Sequence, residues 1–390
     1  MRKGRYDMII NFEFLDEEPI ENIITCLHYN VDKVVFFGNG KLIAEKKGSM
    51  ESFLKKYCNV EQVEFYEISD TDLGAVVEVM RTAIVNERMQ EHACYFDVTG
   101  GEGLALLAFG ILSRELQVPM HMYDVQKDEL LEFDRDYAEH ISKNVPGQKI
   151  GLNLDKIVEM HGGVISYKHN KGYKGQHDAG DLADIQKLWR INQRFEREWN
   201  QFAMFLARYA QEMMVDLSAD VVNADMKTRR SIGTAKKLEL ILEACEEAGV
   251  LRSVRHENGR YSFTYKNEFV KSCMCDSGSV LEQYTFLQEQ SEPGTVDCRV
   301  GVHIDWDGKL HEGQGEDVLN EIDVLSLCGN VPVFISCKGG SVDQMALYEL
   351  DTVASRFGGK YAKKMLVVAR ELSKAHALRA EEMGIEVRVL

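Results

Sequence analysis

The sequence has little basic charge and little proline. Lys and Arg number 46 against 63 Asp and Glu, so the formal net charge at pH 7 is −17. A protein that coats nucleic acid without sequence preference needs a basic surface, so this balance excludes that class, although a local basic groove remains compatible with it. With only 5 prolines in the chain, we expect no long proline-rich linker.

Long apolar runs and paired cysteines are also missing. No segment approaches the roughly 18 apolar residues that a membrane-spanning helix needs, so we expect no membrane span. The first residues lack the apolar core and cleavage site of a signal peptide, which favours a cytoplasmic protein. The 9 cysteines show no metal-binding spacing, because Cys273 and Cys275 have no second pair, so we expect free thiols in a reducing compartment.

The 390 residues suffice for about two or three domains, and strand and helix patterns divide them. The first 130 residues or so alternate strands and helices, which predicts βαβ units and a parallel, Rossmann-like sheet in an α/β domain over residues 1–143. The predicted strands are 6–12, 33–37, 63–68, 93–98 and 119–123, and the predicted helices are 20–28, 50–57, 72–86 and 104–116, the third capped by Asp70 or Thr71.

Residues 144–276 are predicted to form a connector with helical and winged-helix-like elements. One or two long helices over 181–215 carry an aromatic stripe, which is more typical of core or dimer packing than of a ligand site: Trp189, Phe195, Trp199, Phe202 and Phe205. A helix over 238–249 and a hairpin that turns at Asn258-Gly259 follow, a combination that resembles a winged helix.

Residues 277–390 are predicted to form a second α/β domain in the order helix, three strands, helix, strand, helix, strand. Its first helix, 279–290, carries Glu282. A hairpin is predicted from strands 298–306 and 309–313, and the next two strands flank a Gly-Asn turn in NEIDVLSLCGNVPVFISCKGG, residues 320–340.

A ligand site is predicted at the carboxyl ends of the first-domain strands, where ligands bind in open α/β sheets. Glycines allow a ligand to approach the backbone closely, and a following helix N-terminus favours anions, so a nucleotide or phosphodiester is the expected ligand. Tight packing of strand against helix is the alternative explanation for the glycines, and neither GxGxxG nor GxxxxGK[ST] is present. The candidate residues are Phe14, Asp16, Gly38, Asn39, Thr99, Gly100 and Gly101.

A second site is predicted around Asp323 and Lys338. Asp323 and a backbone carbonyl near Cys337 offer oxygen ligands for Mg²⁺ or Mn²⁺, and Glu282 is expected to bind the metal directly or through water. Such a site fits phosphodiester hydrolysis, in which Lys338 stabilises the negative charge that develops on the phosphate. Strand alternation places Ser336 on the same face as Lys338, with Cys337 opposite. An ordinary ion pair between Asp323 and Lys338 is the alternative.

These residues resemble a known nuclease family. The layout is similar to the PD-(D/E)xK, or restriction-endonuclease-like, fold, in which Asp323 matches the first motif acid, Lys338 the motif lysine and Glu282 the upstream helix acid. The first domain resembles a CARF domain, the CRISPR-associated Rossmann fold. Together they resemble the ancillary nucleases of type III CRISPR systems, most specifically in NEIDVL, FISCK and LYELDTVASRFGGKYAKKMLV.

The resemblance implies a homodimer that binds cyclic tetra-adenylate, or a related cyclic oligoadenylate, across its paired CARF domains. This allosteric activator would switch on metal-dependent cleavage of single-stranded DNA, RNA or nicked duplex. Ser336 departs from the family pattern, in which Asp or Glu is usual at this position, and serine is neutral and a poorer metal ligand. Glu321, Glu349 and Glu282 are the candidates to supply the missing charge, and Ser336 is then expected to orient water or ligand.

Two basic clusters are candidates for contact with a nucleic-acid backbone, although a charge run is usually a solvated face: Lys227, Arg229, Arg230, Lys236 and Lys237, and Lys360, Lys363 and Lys364. A second hypothesis remains open, a nucleotide-sensing, non-catalytic DNA-binding regulator with a degenerate nuclease domain. A nicotinamide-dependent enzyme fits less well, because the dinucleotide fingerprint is missing.

Overall fold

The computed structural model describes residues 8–87, 89, 91–133, 139–143, 151–167, 177–209, 218–221, 235–257, 260–311 and 317–390. They form a seven-stranded, a three-stranded and a six-stranded sheet with helices packed against them. No helix in this described part is long and apolar enough to span a bilayer.

The N-terminal sheet has the strand order β3-β2-β1-β4-β5-β6-β7. The five predicted strands are all present and pair in parallel, whereas an unforeseen antiparallel hairpin, β6–β7, extends one edge. Every residue of β1 and β2 is buried, as expected for a parallel sheet covered on both faces. The strands are β1 (Ile9–Phe14), β2 (Lys33–Gly38), β3 (Gln62–Glu67), β4 (Ala93–Asp97), β5 (Met120–Asp124), β6 (Glu129–Phe133) and β7 (Glu139–Lys143).

Four helices cover this sheet: α1 (Pro19–Tyr29), α2 (Gly40–Tyr57), α3 (Leu73–Asn86) and α4 (Gly103–Leu116). Two predicted helix starts are wrong. The helix expected from residue 50 begins at Gly40, because the Asn39 side chain caps it by accepting a hydrogen bond from the Leu42 N–H. The cap of α3 is Asp72, which accepts from the Ala75 N–H, rather than Asp70 or Thr71.

The middle of the chain contributes to two sheets. Helix α5 (Leu154–Met160) leads to β8 (Val164–Ser166), which joins the edge of the C-terminal sheet. Two helices, α6 (Ala179–Arg194) and α7 (Glu196–Tyr209), then carry the aromatic stripe, whose five side chains are all less than a tenth exposed, so the core interpretation is confirmed. The Asn258-Gly259 turn and Lys227, Arg229 and Arg230 lie outside the described residues.

The winged-helix-like elements surround the small sheet of order β10-β11-β9. Strands β10 and β11 form the predicted antiparallel hairpin, and β9 adds a third strand. The elements are β9 (Ser218–Val221), α8 (Ala235–Glu247), β10 (Leu251–Glu257), β11 (Arg260–Tyr265) and α9 (Glu268–Met274).

The C-terminal sheet has the order β16-β15-β14-β13-β12-β8, and the predicted alternation of helices and strands is present. One predicted strand is wrong: residues 309–311 are not extended, and β12 pairs directly with β13. The Asp305 carboxylate accepts from the N–H groups of Asp307 and Lys309, which holds a turn there. The elements are α10 (Ser279–Ser291), β12 (Thr295–Asp305), β13 (Leu319–Cys328), β14 (Val331–Lys338), α11 (Gln344–Gly358), a 3₁₀ turn (Gly359–Tyr361), β15 (Lys363–Val368), α12 (Lys374–Glu382) and β16 (Ile385–Val389).

The N-terminal and C-terminal sheets share one apolar core. It runs from Ile23 of α1 through Ile157 of α5 to Val302 of β12 and Phe357 of α11. Residues 154–166, which were assigned to the connector, therefore pack between the two large sheets. This shared core fixes the carboxyl end of α11 against the N-terminal domain, a contact that matters for both candidate sites.

Candidate active site

The β13–β14 hairpin brings Asp323 and Lys338 together, as the sequence predicts. Asp323 Oδ2 accepts hydrogen bonds from the Cys337 N–H at 2.6 Å and from Ser336 Oγ at 3.2 Å. Lys338 Nζ lies 3.7 Å from the same oxygen. Strand alternation places Ser336 and Lys338 beside Asp323 and turns Cys337 into the core. All three of these contacts use Oδ2.

Cys337 contributes its backbone N–H to this site, while its thiol faces the interior. The sulfur lies 3.6 Å from Thr285 Oγ1, and burial raises the pKa of the thiol well above its usual value. A buried thiol that keeps its proton is a poor metal ligand. The side chain is therefore structural, and only backbone atoms of Cys337 are in a position to take part in chemistry.

A pocket of about 190 Å³ opens beside Asp323. Both acids that were considered as replacements at the Ser336 position, Glu321 and Glu349, line it. Glu349 lies on the second turn of α11, which packs against β14. The full lining is Glu321, Ile322, Asp323, Ile335, Ser336, Lys338, Ala346, Glu349 and Leu350.

Glu282, on the first turn of α10, lies within electrostatic range of this pocket without being one of its lining residues. Its pKa is raised to about 8, first by burial and then by the charges of Asp323, Asp276 and Glu321, while Lys338 opposes the shift. Near neutral pH the carboxyl group therefore holds its proton in the metal-free protein. A pKa this far from normal in a buried acid beside a pocket is typical of functional sites.

The donor set fits a small divalent cation. Among the residues that the structure describes, no three or more His, Cys, Asp and Glu side chains are grouped closely enough to enclose a metal ion. Mg²⁺, however, is usually held by one or two carboxylates and several waters rather than by a full protein cage. The hard carboxylate oxygens of Asp323, Glu321 and Glu349 match that preference.

The middle region reaches the rim of this pocket, a contact that sequence reasoning missed. Asn200 of α7 donates a hydrogen bond from Nδ2 to the carbonyl oxygen of Gly339, the residue after Lys338, at 3.3 Å. Glu196 on the same helix pairs with Arg370 at the end of β15. No local pattern links residues 139 positions apart in the chain, so only the packing of α7 reveals this contact.

The candidate ligand residues of the first domain divide into two groups. Phe14, Asp16 and Asn39 line a cavity of about 820 Å³ between the N-terminal sheet and the end of α11. Gly38, Thr99, Gly100 and Gly101 are not among its lining residues. The side-chain oxygen of Asn39 caps α2. Thr99 Oγ1 accepts a hydrogen bond from the Tyr123 N–H.

The glycines after β4 allow acidic side chains to approach closely. A Cβ on Gly100 would lie 2.9 Å from Glu21 Oε2 and 3.0 Å from Asp16 Oδ2. Gly101 has a φ of +130° and donates its N–H to Asp16 Oδ2 at 3.0 Å. Both glycines therefore allow close packing within the protein, and a ligand role for Gly100 and Gly101 stays a prediction.

The sequence of residues 272–389 matches the family described as "Card1-like, endonuclease domain". The C-terminal part of this chain is therefore similar to Card1-like endonuclease domains. The match runs from the last residues of α9 through β16 and so contains Glu282, Asp323, Ser336 and Lys338. The prediction of an endonuclease is confirmed by this match. No curated protein matches the chain by sequence.

Solved structures share the fold over nearly the whole chain. Protein VC1899 from Vibrio cholerae has 19% identity and a TM-score of 0.72, with 98% of this chain and 94% of that chain covered. Can2 from Sulfobacillus thermosulfidooxidans, solved in complex with cyclic tetra-adenylate, has 14% identity and a TM-score of 0.67, with 97% and 92% covered.

A third structure is a type III CRISPR defence DNA nuclease activated by cyclic oligoadenylate. It has 15% identity and a TM-score of 0.53, and the alignment covers 94% of this chain but 48% of that chain, so this protein spans about half its length. At these identities the likeness concerns the fold alone. The predicted fold class, with a Rossmann-like domain at the start and an α/β nuclease domain at the end, is confirmed.

Proposed function

We propose that this protein is a divalent-metal-dependent nuclease that cleaves DNA or RNA and is activated by a cyclic oligoadenylate in type III CRISPR defence, in the cytoplasm. The observation that carries the nuclease assignment is the pocket of Asp323, Ser336 and Lys338 inside the endonuclease-family domain. Cyclic tetra-adenylate is the proposed activator because Can2, which shares the fold, is solved with it.

The pocket residues have distinct roles in this proposal. Asp323 would hold Mg²⁺ or Mn²⁺, with Glu282, Glu349 or Glu321 as a second ligand. The bound metal would polarise a phosphoryl oxygen and lower the pKa of a water molecule. Lys338 stabilises the negative charge that develops on the phosphate. Ser336 and the Cys337 N–H hold Asp323 Oδ2 and so orient the carboxylate.

Glu282 acts as a ligand only when its carboxyl group is ionised. Because its pKa of about 8 results from burial and neighbouring acids, a cation at Asp323 would oppose both causes and favour release of the proton. Metal binding to this pocket is therefore expected to release a proton near neutral pH, and calorimetry in buffers of different ionisation enthalpy detects that release.

A homodimer is the proposed assembly. Helices α3 and α4 pack against each other on the outer face of the first domain and expose apolar side chains, namely Val85, Leu106, Leu107 and Ile111, which are 37–57% exposed. Exposed apolar residues grouped in this way are typical of a protein interface. Pairing of two first domains would let one cyclic oligoadenylate span both.

Cleavage assays test the proposal directly. Single-stranded DNA, single-stranded RNA and nicked duplex are incubated with Mn²⁺, with and without cyclic tetra-adenylate. Wild type is expected to cleave only when both are present, and Lys338→Ala to lose at least about 100-fold in rate. Lys55→Ala removes a half-exposed lysine from α2, outside both basic clusters, and serves as the matched control. Equal, metal-independent cleavage by all three proteins contradicts the proposal.

The non-catalytic regulator remains a second candidate because of two observations. Ser336 stands where the family has an acid, and the helices around the three-stranded sheet provide a winged-helix-like surface of the kind that binds duplex DNA. This candidate predicts saturable binding of duplex DNA without cleavage under every metal and activator condition of the same assay.

A further inference from the structure

The cavity between the two large domains is lined from both sides by charged residues. The β1–α1 segment supplies Asp16, Glu17 and Glu18, whereas Arg356 comes from the end of α11 and Lys360 from the 3₁₀ turn that follows it. Its volume of about 820 Å³ lies in the range of sites that bind small molecules. The cationic side chains of the endonuclease domain therefore face the same space as the strand ends of the first domain.

Three carboxylates accept hydrogen bonds from donors at or next to this cavity, and two of them, Asp16 and Glu18, line it. Asp16 Oδ2 accepts from the Gly101 N–H at 3.0 Å, and Glu18 Oε2 accepts from the Lys360 N–H at 2.7 Å. Glu21 Oε1 lies 2.8 Å from Lys360 Nζ and accepts from Tyr361 OH at 2.5 Å. We call Asp16, Glu18 and Glu21 the carboxylate clasp. Its partners are donors of the kind that bind phosphate.

The backbone is shaped to admit the clasp. Gly359 has a φ of +66°, and a Cβ there would lie 2.1 Å from Glu18 Oε2, so only glycine leaves room for that carboxylate. Gly100, in the first domain, leaves room in the same way for the carboxylates of Asp16 and Glu21. Glu18 and Glu21 are 5% and 4% exposed, which is unusual for acids. Glu21 Oε2 is buried against Gly100 and has no hydrogen-bond partner within the described part of the chain.

Helix α11 connects the clasp to the catalytic pocket. Its second turn carries Glu349 and Leu350, which line that pocket, and its last turn carries Arg356, which lines the cavity. Glu349 and Arg356 are separated by about two helical turns, or about 10 Å along the axis. The clasp holds the 3₁₀ turn that follows this helix. Loss of the clasp contacts would therefore release the carboxyl end of α11.

We propose that the carboxylate clasp occupies, in the ligand-free protein, the donors that bind the phosphates of the activator, and that a polyanionic nucleotide displaces it. Displacement transfers Lys360 from Glu21 to a ligand phosphate, releases the turn Gly359–Tyr361 and lets α11 shift at the catalytic pocket. The inference rests on the proposed function for the identity of activator and reaction. The clasp is expected to favour ligands with several phosphates, because a single phosphate replaces only one of its three carboxylates.

Affinity for the activator separates displacement from simple charge repulsion. Glu21→Gln keeps the shape of the side chain and removes its charge, and we expect it to bind cyclic tetra-adenylate about tenfold more tightly in calorimetry. Glu45→Gln removes the same charge from the wall of the same cavity, where Glu45 pairs with Lys41 instead. Equal tightening in both variants overturns the proposal. Lys360→Gln is expected to weaken binding about tenfold, and unchanged affinity there also overturns it.

Hydrogen exchange tests the clasp without activator or substrate. In Glu21→Gln we expect faster amide exchange both at 359–361 and at 344–350, the pocket end of α11, whereas Glu45→Gln exchanges like wild type. Unchanged exchange, or a change confined to 359–361, overturns the link to the catalytic pocket. If wild type shows no cleavage that depends on cyclic oligoadenylate, the proposed function fails, and the exchange result still decides whether the clasp restrains α11.

Discussion

The two large sheets both carry acids on neighbouring central strands, but they place them in opposite surroundings. In the first sheet Glu13 of β1 lies beside Asp97 of β4, and both are almost completely buried. Asn22 donates to Glu13 Oε2 at 3.0 Å, and Thr25 donates to Asp97 Oδ2. In the C-terminal sheet Asp323 faces a pocket and has Lys338 within 3.7 Å.

The difference shows which surroundings allow an acidic residue on a β-strand to take part in catalysis. Burial, followed by the charge of Asp97, raises the pKa of Glu13 well above its usual value, which favours the protonated form of this hydrogen-bonded core residue. Asp323 has a nearby lysine and two hydrogen-bond donors on one oxygen, and it lines a pocket. An acid with a cationic partner and access to solvent can exchange ligands, whereas a sealed acid cannot.

The largest expected effect is on Asp323. Asp323→Asn keeps the acceptor for the Cys337 N–H but removes the charge that binds metal, so we expect cleavage to fall by about 1,000-fold or more. Initial rates on the preferred substrate with Mn²⁺ and cyclic tetra-adenylate measure this. Glu382→Gln on the exposed surface of α12 is the control, with 71% side-chain exposure in the parent residue. If Asp323→Asn still cleaves like wild type, Asp323 is no more important for the reaction than the buried acids of the first sheet.

Replacement of Glu13 tests the buried side of the comparison. Glu13→Ala leaves a cavity and removes an acceptor from Asn22, so we expect a loss of about 3 kcal/mol in the free energy of unfolding. Glu13→Gln imitates the neutral acid and is expected to cost less than about 1 kcal/mol at pH 7. Urea unfolding measures both. An equal loss in the two variants would mean that Glu13 is ionised in the folded protein.

Glu282 is largely buried but, unlike Glu13, lies near the pocket of Asp323. Its raised pKa predicts in which direction the stability of the protein changes with pH. With a folded pKa of about 8, raised above the usual value of 4.5, the folded state holds a proton that the unfolded state has lost. The free energy of unfolding of the metal-free protein should therefore fall as pH rises from about 4.5 to about 8. Glu282→Gln is expected to flatten this fall. Melting curves across that range measure it, and identical slopes would contradict the raised pKa.

The smallest effect is expected at Ser336. Ser336→Ala removes one of the donors to Asp323 Oδ2, while the Cys337 N–H remains. We expect cleavage to fall about fivefold, since one hydrogen bond is worth about 1 kcal/mol. Ser341→Ala, an exposed serine just beyond the strand, is the control. A loss as large as that of Asp323→Asn would instead give Ser336 a direct part in the reaction.

Local features of both sites were predictable because they depend on short stretches of chain. The Gly-Asn turn and strand alternation placed Asp323, Ser336 and Lys338 on one face, and the structure has them there. The helix start at Gly40 was missed because a side-chain cap by Asn39 overrides the weak apolar pattern of the first turns. The strand predicted at 309–313 is not formed at 309–311, because the Asp305 carboxylate holds a turn by accepting a hydrogen bond from the Lys309 N–H.

The sequence by itself determined the five parallel strands and the four covering helices of the first domain, apart from two helix starts. It also determined the β13–β14 hairpin that carries Asp323, Ser336 and Lys338. Only the tertiary structure decided that Glu349 shares a pocket with Asp323, and that Glu18 binds the N–H of Lys360, 342 positions away. Periodicity and turns act over a few residues and fix which way a side chain points. Which distant side chain it meets depends on how whole helices and sheets pack, and no short stretch of sequence contains that information.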